Sequence, residues 1–273
     1  MIRETARIAL RGKMLLAAMA AAVYMLCISL PVIFVEQITG LWPFMERAVD
    51  DYFELLMNDP SPAPLYEWAS SYAGEGPSTL SFATWLFLLL VPGPLTLGLS
   101  TIWLRVIRGQ EIFSDMVFSG FSNFIRALLL HFVRGLFMFI WAIFFIIPGV
   151  IAYYRYNLAF FLLVDNPEMS PFVAINLSKY YMIGNKGNRF FLDLSFIGWF
   201  AIAMIVFVFL SNVVVASIDT NSLFSNMLVM SIVGSVILAP LCAYRGVAAA
   251  EYYHRVTCND PDSFKDPLRL PGV

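Results

Sequence analysis

Charged residues are scarce in this sequence. Only 13% of its 273 residues are Asp, Glu, Lys or Arg, whereas 60% are hydrophobic, and its mean hydropathy is +0.75. Soluble globular domains carry about 25% charged residues. The composition therefore excludes an ordinary soluble domain and predicts a protein whose main partner is the lipid bilayer. We expect no nucleic-acid partner.

Cysteine and histidine are also rare. The three cysteines, Cys27, Cys242 and Cys258, lie far apart in sequence, and the two histidines, His131 and His254, are equally isolated. This spacing suggests neither a disulfide framework nor a metal cluster. The apolar runs contain no pair of carboxylates and no recognisable nucleophile motif. We therefore predict no enzymatic activity, no catalytic residue, no metal site and no cofactor.

Long apolar runs make up most of the chain. A helix needs about 20 mostly apolar residues to cross the hydrocarbon core of a bilayer. Because these runs are continuously apolar and do not alternate, they are typical of helices and not of barrel strands. We predict an all-α, polytopic helical membrane protein with about six transmembrane helices and short interfacial amphipathic helices. The predicted spans cover residues 14–35, 80–104, 127–147, 150–164, 190–216 and 227–250.

The distribution of lysine and arginine predicts the orientation. Basic residues cluster before the first span, between the second and third, between the fourth and fifth, and after the sixth. Because such segments stay on the cytoplasmic side, we predict a multi-pass protein of the bacterial inner (cytoplasmic) membrane, with its N-terminus and C-terminus in the cytoplasm. Residues 1–256 form a single integral-membrane domain, and residues 257–273 form a cytoplasmic tail.

The connection between the first two spans, residues 36–79, is strongly acidic. It holds eight acids against the single base Arg47. We therefore place it outside, as an extracytoplasmic loop inserted in the membrane domain. Its centre is rich in proline, glycine and serine, which predicts a loop with short helices and not a separate domain.

The sequence contains an internal repeat. A shift of 56 residues places "VPGPLTLGLSTIWLRVIRGQEIFS" (residues 91–114) over "IPGVIAYYRYNLAFFLLVDNPEMS" (residues 147–170) without a gap. In each copy a Pro-Gly pair opens an apolar helix, and the final serine starts a short segment of mixed polarity. We predict units of interfacial helix, rising span and falling span, with Pro148-Gly149 as the outer turn of a helical hairpin. Coincidence between proline-punctuated apolar helices is the alternative.

A short amphipathic helix is predicted after the second copy. Ser170 is a good N-cap, Pro171 fits the first helical position, and Gly184 can close the helix in a left-handed cap. Val173 and Leu177 recur at helical spacing on one face. We expect this helix to lie along the inner membrane surface.

Three arginines fall inside the predicted spans: Arg134, Arg155 and Arg245. A charge near the centre of a span costs roughly 2.5–3.5 kcal/mol on insertion scales, so each arginine needs water or a partner. Arg155 can reach the outer interface beside the neighbouring tyrosines. Alternatively, the arginines can form pairs between spans, such as Arg134 with Asp193 or Arg245 with Glu251.

Asp193 is the one plausible buried acid in the predicted spans, so the three arginines outnumber it. Arginine presents planar, paired donors to phosphate or carboxylate. An anionic lipid or an anionic small molecule can therefore supply the missing negative charge. The candidate residues of such a binding site, or of an intramembrane polar cluster, are Arg134, Arg155, Asn157, Asp193 and Arg245.

The segment from "LLLHFVRGLFMF" to "LSFIGW" resembles the central signature of an uncharacterised bacterial integral-membrane family, domain of unknown function 975. The motifs IPG, DNPE, GNKG and LSFIGW occur in this order, and "ARIALRGK" and "VFSGFSNFIRALLL" resemble other blocks of the family. More distantly, the chain resembles the membrane portion of some glycerophosphodiester phosphodiesterases, which is not their catalytic part. The resemblance implies a fold and no reaction.

Two functions are consistent with these patterns. In the first, the protein binds or moves an anionic or lipid-like small molecule through a polar site between its spans. In the second, it is a non-enzymatic membrane scaffold or regulatory partner of another protein. A cavity lined by the arginines favours the first function, whereas arginines satisfied by protein acids and carbonyls favour the second.

Overall fold

The computed structural model describes residues 2–58, 63–72, 82–218 and 222–258, and within these ranges it contains helices and no strand. This confirms the predicted all-α fold class. The α-helices in the described ranges are α1 (Ile2–Ala9), α2 (Met14–Ile38), α3 (Leu41–Asn58), α4 (Ala63–Tyr72), α5 (Phe82–Leu90), α6 (Pro92–Ile107), α7 (Phe124–Phe144), α8 (Ile146–Arg155), α9 (Ala159–Asp165), α10 (Pro171–Tyr181), α11 (Lys186–Ile218) and α12 (Leu223–Cys258). A 3₁₀ helix, Ser114–Asn123, precedes α7.

Six helical segments in the described ranges are long and apolar enough to cross a membrane. Each overlaps one of the predicted spans, which confirms a multi-pass membrane protein. The last segment ends at the end of α12, two residues into the predicted tail. The six segments are Met14–Ile38, Phe82–Ile107, Ser114–Phe144, Ile147–Asp165, Lys186–Ser217 and Leu223–Cys258.

Contacts along the chain gather into two compact units. Unit one comprises Met1–Met25, Leu89–Val206 and Ser235–Val273, and unit two comprises Leu26–Leu88 and Phe207–Gly234. The organisation of residues 1–256 as a single domain stays a prediction. All the candidate residues named above belong to unit one.

The core of unit one is built around α6. This helix packs against the 3₁₀ helix so closely that the two backbones touch at glycines. A Cβ added to Gly98 would collide with the carbonyl oxygen of Val117, and one added to Gly120 would collide with the carbonyl oxygen of Pro94. Helix α6 also packs against α7 and α9. The fully buried Leu130 of α7 belongs to this core.

The fourth predicted span, residues 150–164, is interrupted. Helix α8 ends at Arg155 and α9 begins at Ala159, so residues 156–158 form a turn where the sequence predicts a continuous helix. The buried hydroxyl of Ser178 on α10 accepts a hydrogen bond from the amide of Leu158 at 3.2 Å and donates one to the carbonyl of Arg155 at 2.8 Å. A broken transmembrane helix is tolerated where other groups bind the freed backbone atoms. Ser178 is that partner here.

The turn between α7 and α8 lies at Phe145, whose backbone is extended at φ −161° and ψ 149°. The sequence predicts this turn at Pro148-Gly149, but both residues lie in the first turn of α8, where a proline is tolerated. A Cβ added to Gly149 would lie 3.0 Å from the Cβ of Ala142 on α7. The Pro-Gly pair therefore permits close packing of α8 on α7, and the chain reverses direction three residues earlier.

The two copies of the repeat share the order of their elements. Ser114 begins the 3₁₀ helix, and Ser170 directly precedes α10, whose first residue is Pro171 as predicted. The copies differ in detail, because α6 is continuous whereas α8 and α9 are separated by a turn. Helix α10 packs against α7 and α9, and Leu177 on its predicted apolar face is buried. Its position at the inner membrane surface stays a prediction.

Unit two contains the described part of the acidic connection; residues 59–62 and 73–81 lie outside the described ranges. Helices α3 and α4 pack together, because the indole of Trp68 donates a hydrogen bond to the carbonyl of Ala48 at 2.6 Å and stacks edge-on against Tyr52. The buried carboxylate of Glu36 accepts a hydrogen bond from the hydroxyl of Thr84. The described part of this connection is thus helical, as the predicted short helices suggest, and α3 is the longer of its two helices.

Candidate functional site

Unit one contains a cavity of about 260 Å³. Helices α2, α6, α7, α8, α9, α11 and α12 and the turn at residues 156–158 all contribute lining residues. The apolar and aromatic part of the wall includes Leu99, Trp103, Phe160 and Phe161. The polar part includes Tyr24, Arg134, Tyr153, Asn157, Arg189 and Arg245. The cavity therefore has an apolar, aromatic wall on which three guanidinium groups also lie.

Asp193 pairs with two of these arginines. Its Oδ1 atom lies 3.0 Å from Nε of Arg245 and 3.5 Å from Nη2 of Arg189, which is four residues earlier on α11. Arg245 also donates a hydrogen bond from Nη2 to the hydroxyl of Tyr153 at 3.1 Å. Arg245 is thus held by one acid and one phenol, and it fixes the cavity wall between α8, α11 and α12.

Arg189 is buried with most of its donors unused. Its side chain is 2% exposed, and neither Nε nor Nη1 has a hydrogen-bond partner among the described residues. Its guanidinium lies 5.7 Å from the ring centroid of Tyr252, an attractive but non-directional contact. A buried guanidinium left without hydrogen bonds is costly. Arg189 therefore brings unpaired N–H donors on Nε and Nη1 to the cavity wall.

Arg134 makes no ion pair with any described residue. It lies over two aromatic rings, 5.6 Å from the centroids of Tyr153 and of Phe160, and its buried Nε has no hydrogen-bond partner in the described structure. With Arg189 and Arg245 it brings three positive charges to the cavity. Asp193 is the single carboxylate that pairs with any of them among the described residues. The wall carries an excess of positive charge.

The structure brings four of the five predicted residues together. Arg134, Asn157 and Arg245 line the cavity, and Asp193 pairs with Arg245 beside it. Asn157 reaches the cavity from the turn that interrupts the fourth span. Arg155 does not line the cavity.

Arg155 lies at the end of α8, and its carbonyl is the group that Ser178 binds. Its side chain is partly exposed, and its positive charge affects Lys179 on α10. Burial lowers the pKa of the Lys179 ammonium below its ordinary value, and the charge of Arg155 lowers that pKa further. Lys179 is held by the side-chain oxygen of Asn176 at 2.9 Å and by the rings of Phe137 and Tyr156.

The ion pairs differ from those that the sequence suggests. Asp193 pairs with Arg245 and Arg189, and not with Arg134. Glu251 pairs with Arg255, at 2.6 Å, and not with Arg245. Both differences follow from helix geometry: residues four apart on one helix are neighbours, so Arg189 meets Asp193, and Glu251 meets Arg255.

Three of the polar cavity residues named above are not among the candidates from the sequence: Tyr24, Tyr153 and Arg189. Arg189 belongs to the basic segment before the fifth span, which predicts a cytoplasmic position and not a buried one. Its spacing of four residues from Asp193 is a signal that could have indicated the pair. Tyr153 is one of several tyrosines expected at the outer interface, and no local pattern distinguishes it from Tyr154.

The described residues contain no group of three His, Cys, Asp or Glu side chains that could hold a metal ion. The three cysteines are free thiols, and Cys242 lines the cavity. The polar groups of the cavity wall include guanidinium, amide and phenol groups beside aromatic rings.

Residues 142–260 match the family described as "Protein of unknown function (DUF975)". This segment is less than half of the chain, and it includes Tyr153, Asn157, Arg189, Asp193 and Arg245 but not Arg134. No curated protein matches the chain, and no solved structure does. The distant likeness to glycerophosphodiester phosphodiesterases receives no support from these comparisons. Together, the match and the six apolar segments describe a membrane protein with a domain of unknown function.

Proposed function

We propose that this multi-pass membrane protein binds an anionic small molecule, carrying a phosphate or a carboxylate, in the cavity of unit one. The observation that carries the proposal is Arg189, a side chain 2% exposed that lines the cavity with Nε and Nη1 unpaired among the described residues. Arginine binds phosphate and carboxylate through paired donors of this kind.

The charge balance supports an anion over a neutral ligand. Arg134 and Arg189 both line the cavity, and Asp193 already pairs with Arg245. Removing a charge from water costs several kcal/mol unless an opposite charge and hydrogen bonds compensate for it. A bound anion would supply both at once. The scaffold hypothesis accounts for Arg245, which a protein acid satisfies, but it leaves Nε of Arg134 and Nε and Nη1 of Arg189 without hydrogen-bond partners among the described residues.

The proposal is tested by calorimetric titration of the purified protein, in a non-ionic detergent at low ionic strength, with inorganic phosphate. We expect saturable binding by the natural sequence. Loss of one charge-assisted hydrogen bond costs about 1.5–3 kcal/mol, so Arg189→Gln should weaken binding about 10- to 100-fold. Arg134→Gln should weaken it too, through loss of the second cation.

The matched control is Arg126→Gln. Arg126 lies outside the cavity, and its partner Glu168 is exposed. Each variant is compared at equal folded fraction, judged by size-exclusion profile and thermal unfolding. If Arg134→Gln and Arg189→Gln bind phosphate as well as Arg126→Gln does, the cavity is not an anion site.

We also propose the orientation that the basic residues suggest, in a bacterial inner membrane with both termini in the cytoplasm. The supporting observation is that basic residues cluster before the first span, after the sixth, and in two of the connections between spans, whereas the first connection is acidic. In this orientation Arg189 lies near the cytoplasmic end of α11. The bilayer itself is the partner that every span requires.

A further inference from the structure

A second cavity lies between α7 and α8, as an open groove of about 470 Å³. Its lining is almost entirely apolar. The residues along it are Gly135, Met138, Phe139, Ala142, Gly149 and Val150, and Tyr153 adds the one hydroxyl. These positions recur every three or four residues, so one face of each helix forms the groove.

The groove is closed at one end and open at the other. Near the turn at Phe145 the helices touch, because a Cβ on Gly149 would lie 3.0 Å from that of Ala142. At Gly135, two turns earlier on α7, an added Cβ would meet nothing within 4 Å. Phe139 is 63% exposed and Val150 is 44% exposed. In a membrane-spanning segment such an exposed apolar surface faces lipid chains.

Tyr153 belongs to both cavities. On the cavity side its hydroxyl accepts a hydrogen bond from Arg245, and its ring lies under the guanidinium of Arg134. We call the cavity lined by Arg134, Arg189 and Arg245 the cationic cavity. On α7 the consecutive residues Arg134 and Gly135 also lie between the two spaces, since Arg134 lines the cationic cavity and Gly135 lines the groove. The cationic cavity and the apolar groove therefore adjoin along two helices.

We propose that the ligand is an anionic amphiphile, whose phosphate or carboxylate lies against Arg134 and Arg189 while one hydrocarbon chain lies in the groove beyond Tyr153. The inference rests on the proposed function and adds the class of ligand. At about 260 Å³, the cationic cavity falls below the range of about 300–1,000 Å³ typical of small-molecule pockets, so it accommodates a headgroup and not a whole lipid. Because the groove is apolar, a hydrocarbon chain can bind there without the free-energy cost of removing water from polar groups.

Gly135→Leu separates the two parts of the site. An added Cβ at Gly135 meets nothing within 4 Å, and Gly135 lines the groove, so a leucine there occupies groove space. Leucine also favours the helix more than glycine does, so the variant should fold. The matched control is Gly198→Leu on α11. Gly198 is also exposed, its added Cβ also meets nothing within 4 Å, and it lines neither cavity.

The experiment titrates ethyl phosphate and dodecyl phosphate into the protein in phosphatidylcholine nanodiscs, with empty nanodiscs as the blank. Ethyl phosphate tests the headgroup alone, and dodecyl phosphate tests the headgroup with a chain. We expect Gly135→Leu to bind dodecyl phosphate about tenfold more weakly than Gly198→Leu does. This is the effect of losing one or two methylene contacts. The affinity for ethyl phosphate should be the same in both variants. Arg189→Gln should weaken the binding of both ligands.

The two proposals fail in different ways. If ethyl phosphate does not bind the natural sequence, or binds Arg189→Gln equally well, the proposed function is wrong. If ethyl phosphate binds through Arg189 but dodecyl phosphate binds Gly135→Leu and Gly198→Leu with the same affinity, the anion site stands and the chain does not occupy the groove.

Discussion

Arg245 lies 3.0 Å from Asp193, measured from Nε to Oδ1, and this ion pair joins two helices whose paired residues are 52 positions apart in sequence. The same carboxylate oxygen is the partner of Arg189 at 3.5 Å. One acid thus holds two arginines at the cavity wall. Both guanidinium groups share that single counter-charge.

Asp193→Asn should therefore lower stability and increase the response to anions. The change removes the counter-charge of two arginines while it preserves the shape of the side chain. Because Arg245 is partly exposed, we expect a loss of about 2 kcal/mol, less than for a fully buried pair. Inorganic phosphate should raise the Tm of Asp193→Asn more than that of the natural sequence, because the anion replaces the lost charge.

The control for this change is Glu168→Gln, which removes an exposed carboxylate from Arg126. Such exposed pairs are screened by solvent and contribute little to stability. Thermal unfolding in detergent measures both variants. Equal Tm values for Asp193→Asn and Glu168→Gln, with equal responses to phosphate, would show that Asp193 does not balance the arginines.

Ser178→Ala should destabilise the break between α8 and α9. Without the hydroxyl, the amide of Leu158 and the carbonyl of Arg155 lose their partner inside the protein. An unsatisfied buried group costs about 1–3 kcal/mol, so we expect a loss of about 2 kcal/mol. Hydrogen exchange followed by mass spectrometry should show faster exchange at Leu158.

Ser122→Ala is the matched control for Ser178→Ala. Ser122 lies 56 residues before Ser178, which is the shift that relates the two copies of the repeat. The hydroxyl of Ser122 donates an exposed hydrogen bond to the carbonyl of Ser119. Its removal should change neither unfolding nor exchange around residues 155–159. Equal exchange at Leu158 in the two variants would mean that the turn is stable without Ser178.

The titration of Glu168 should report its pairing with Arg126. The hydrogen bond from Arg126, and then its charge, lower the pKa of the Glu168 carboxyl below its ordinary value. Since the pKa is lower in the folded protein than in the unfolded chain, the pair favours folding above the ordinary pKa and ceases to do so as pH falls through the lowered value. Carbon NMR of labelled glutamate should show the pKa of Glu168 rising in Arg126→Gln. An unchanged pKa in that variant contradicts the pairing.

The proposed orientation predicts the behaviour of reporter fusions. A fusion of alkaline phosphatase after Ser70 should be active, because that position is predicted outside the cytoplasm. A fusion of green fluorescent protein after Gly187 should be fluorescent, because that position is predicted inside. The reverse pattern at both sites would overturn the topology.

Much of the fold follows from the sequence. Continuous apolar runs predict the six segments, because a bilayer admits helices whose backbone groups are satisfied within the segment. The interruption after Arg155 does not follow, because residues 156–158 carry no proline or glycine that would mark a turn. It depends on Ser178, about 20 residues further along the chain, and a local pattern cannot show that the two will meet.

The candidate site follows in part. The scarcity of acids in the spans points to five candidates: Arg134, Arg155, Asn157, Asp193 and Arg245. The structure groups all of them except Arg155 around one cavity. Composition cannot choose between partners, because the register between α11 and α12 decides which arginine meets Asp193. Arg189 is not among the candidates for a different reason, because a basic residue near the end of a span is ordinarily exposed.

If the proposed amphiphile binds in the groove between α7 and α8, the membrane is the compartment that supplies it. The groove is lined by exposed apolar residues of two spans. A ligand that enters past Gly135 approaches sideways from within the membrane, already stripped of most of the water around its chain. Occupancy is then set by the mole fraction of the amphiphile among the surrounding lipids, so its scarcity in water is no obstacle to binding.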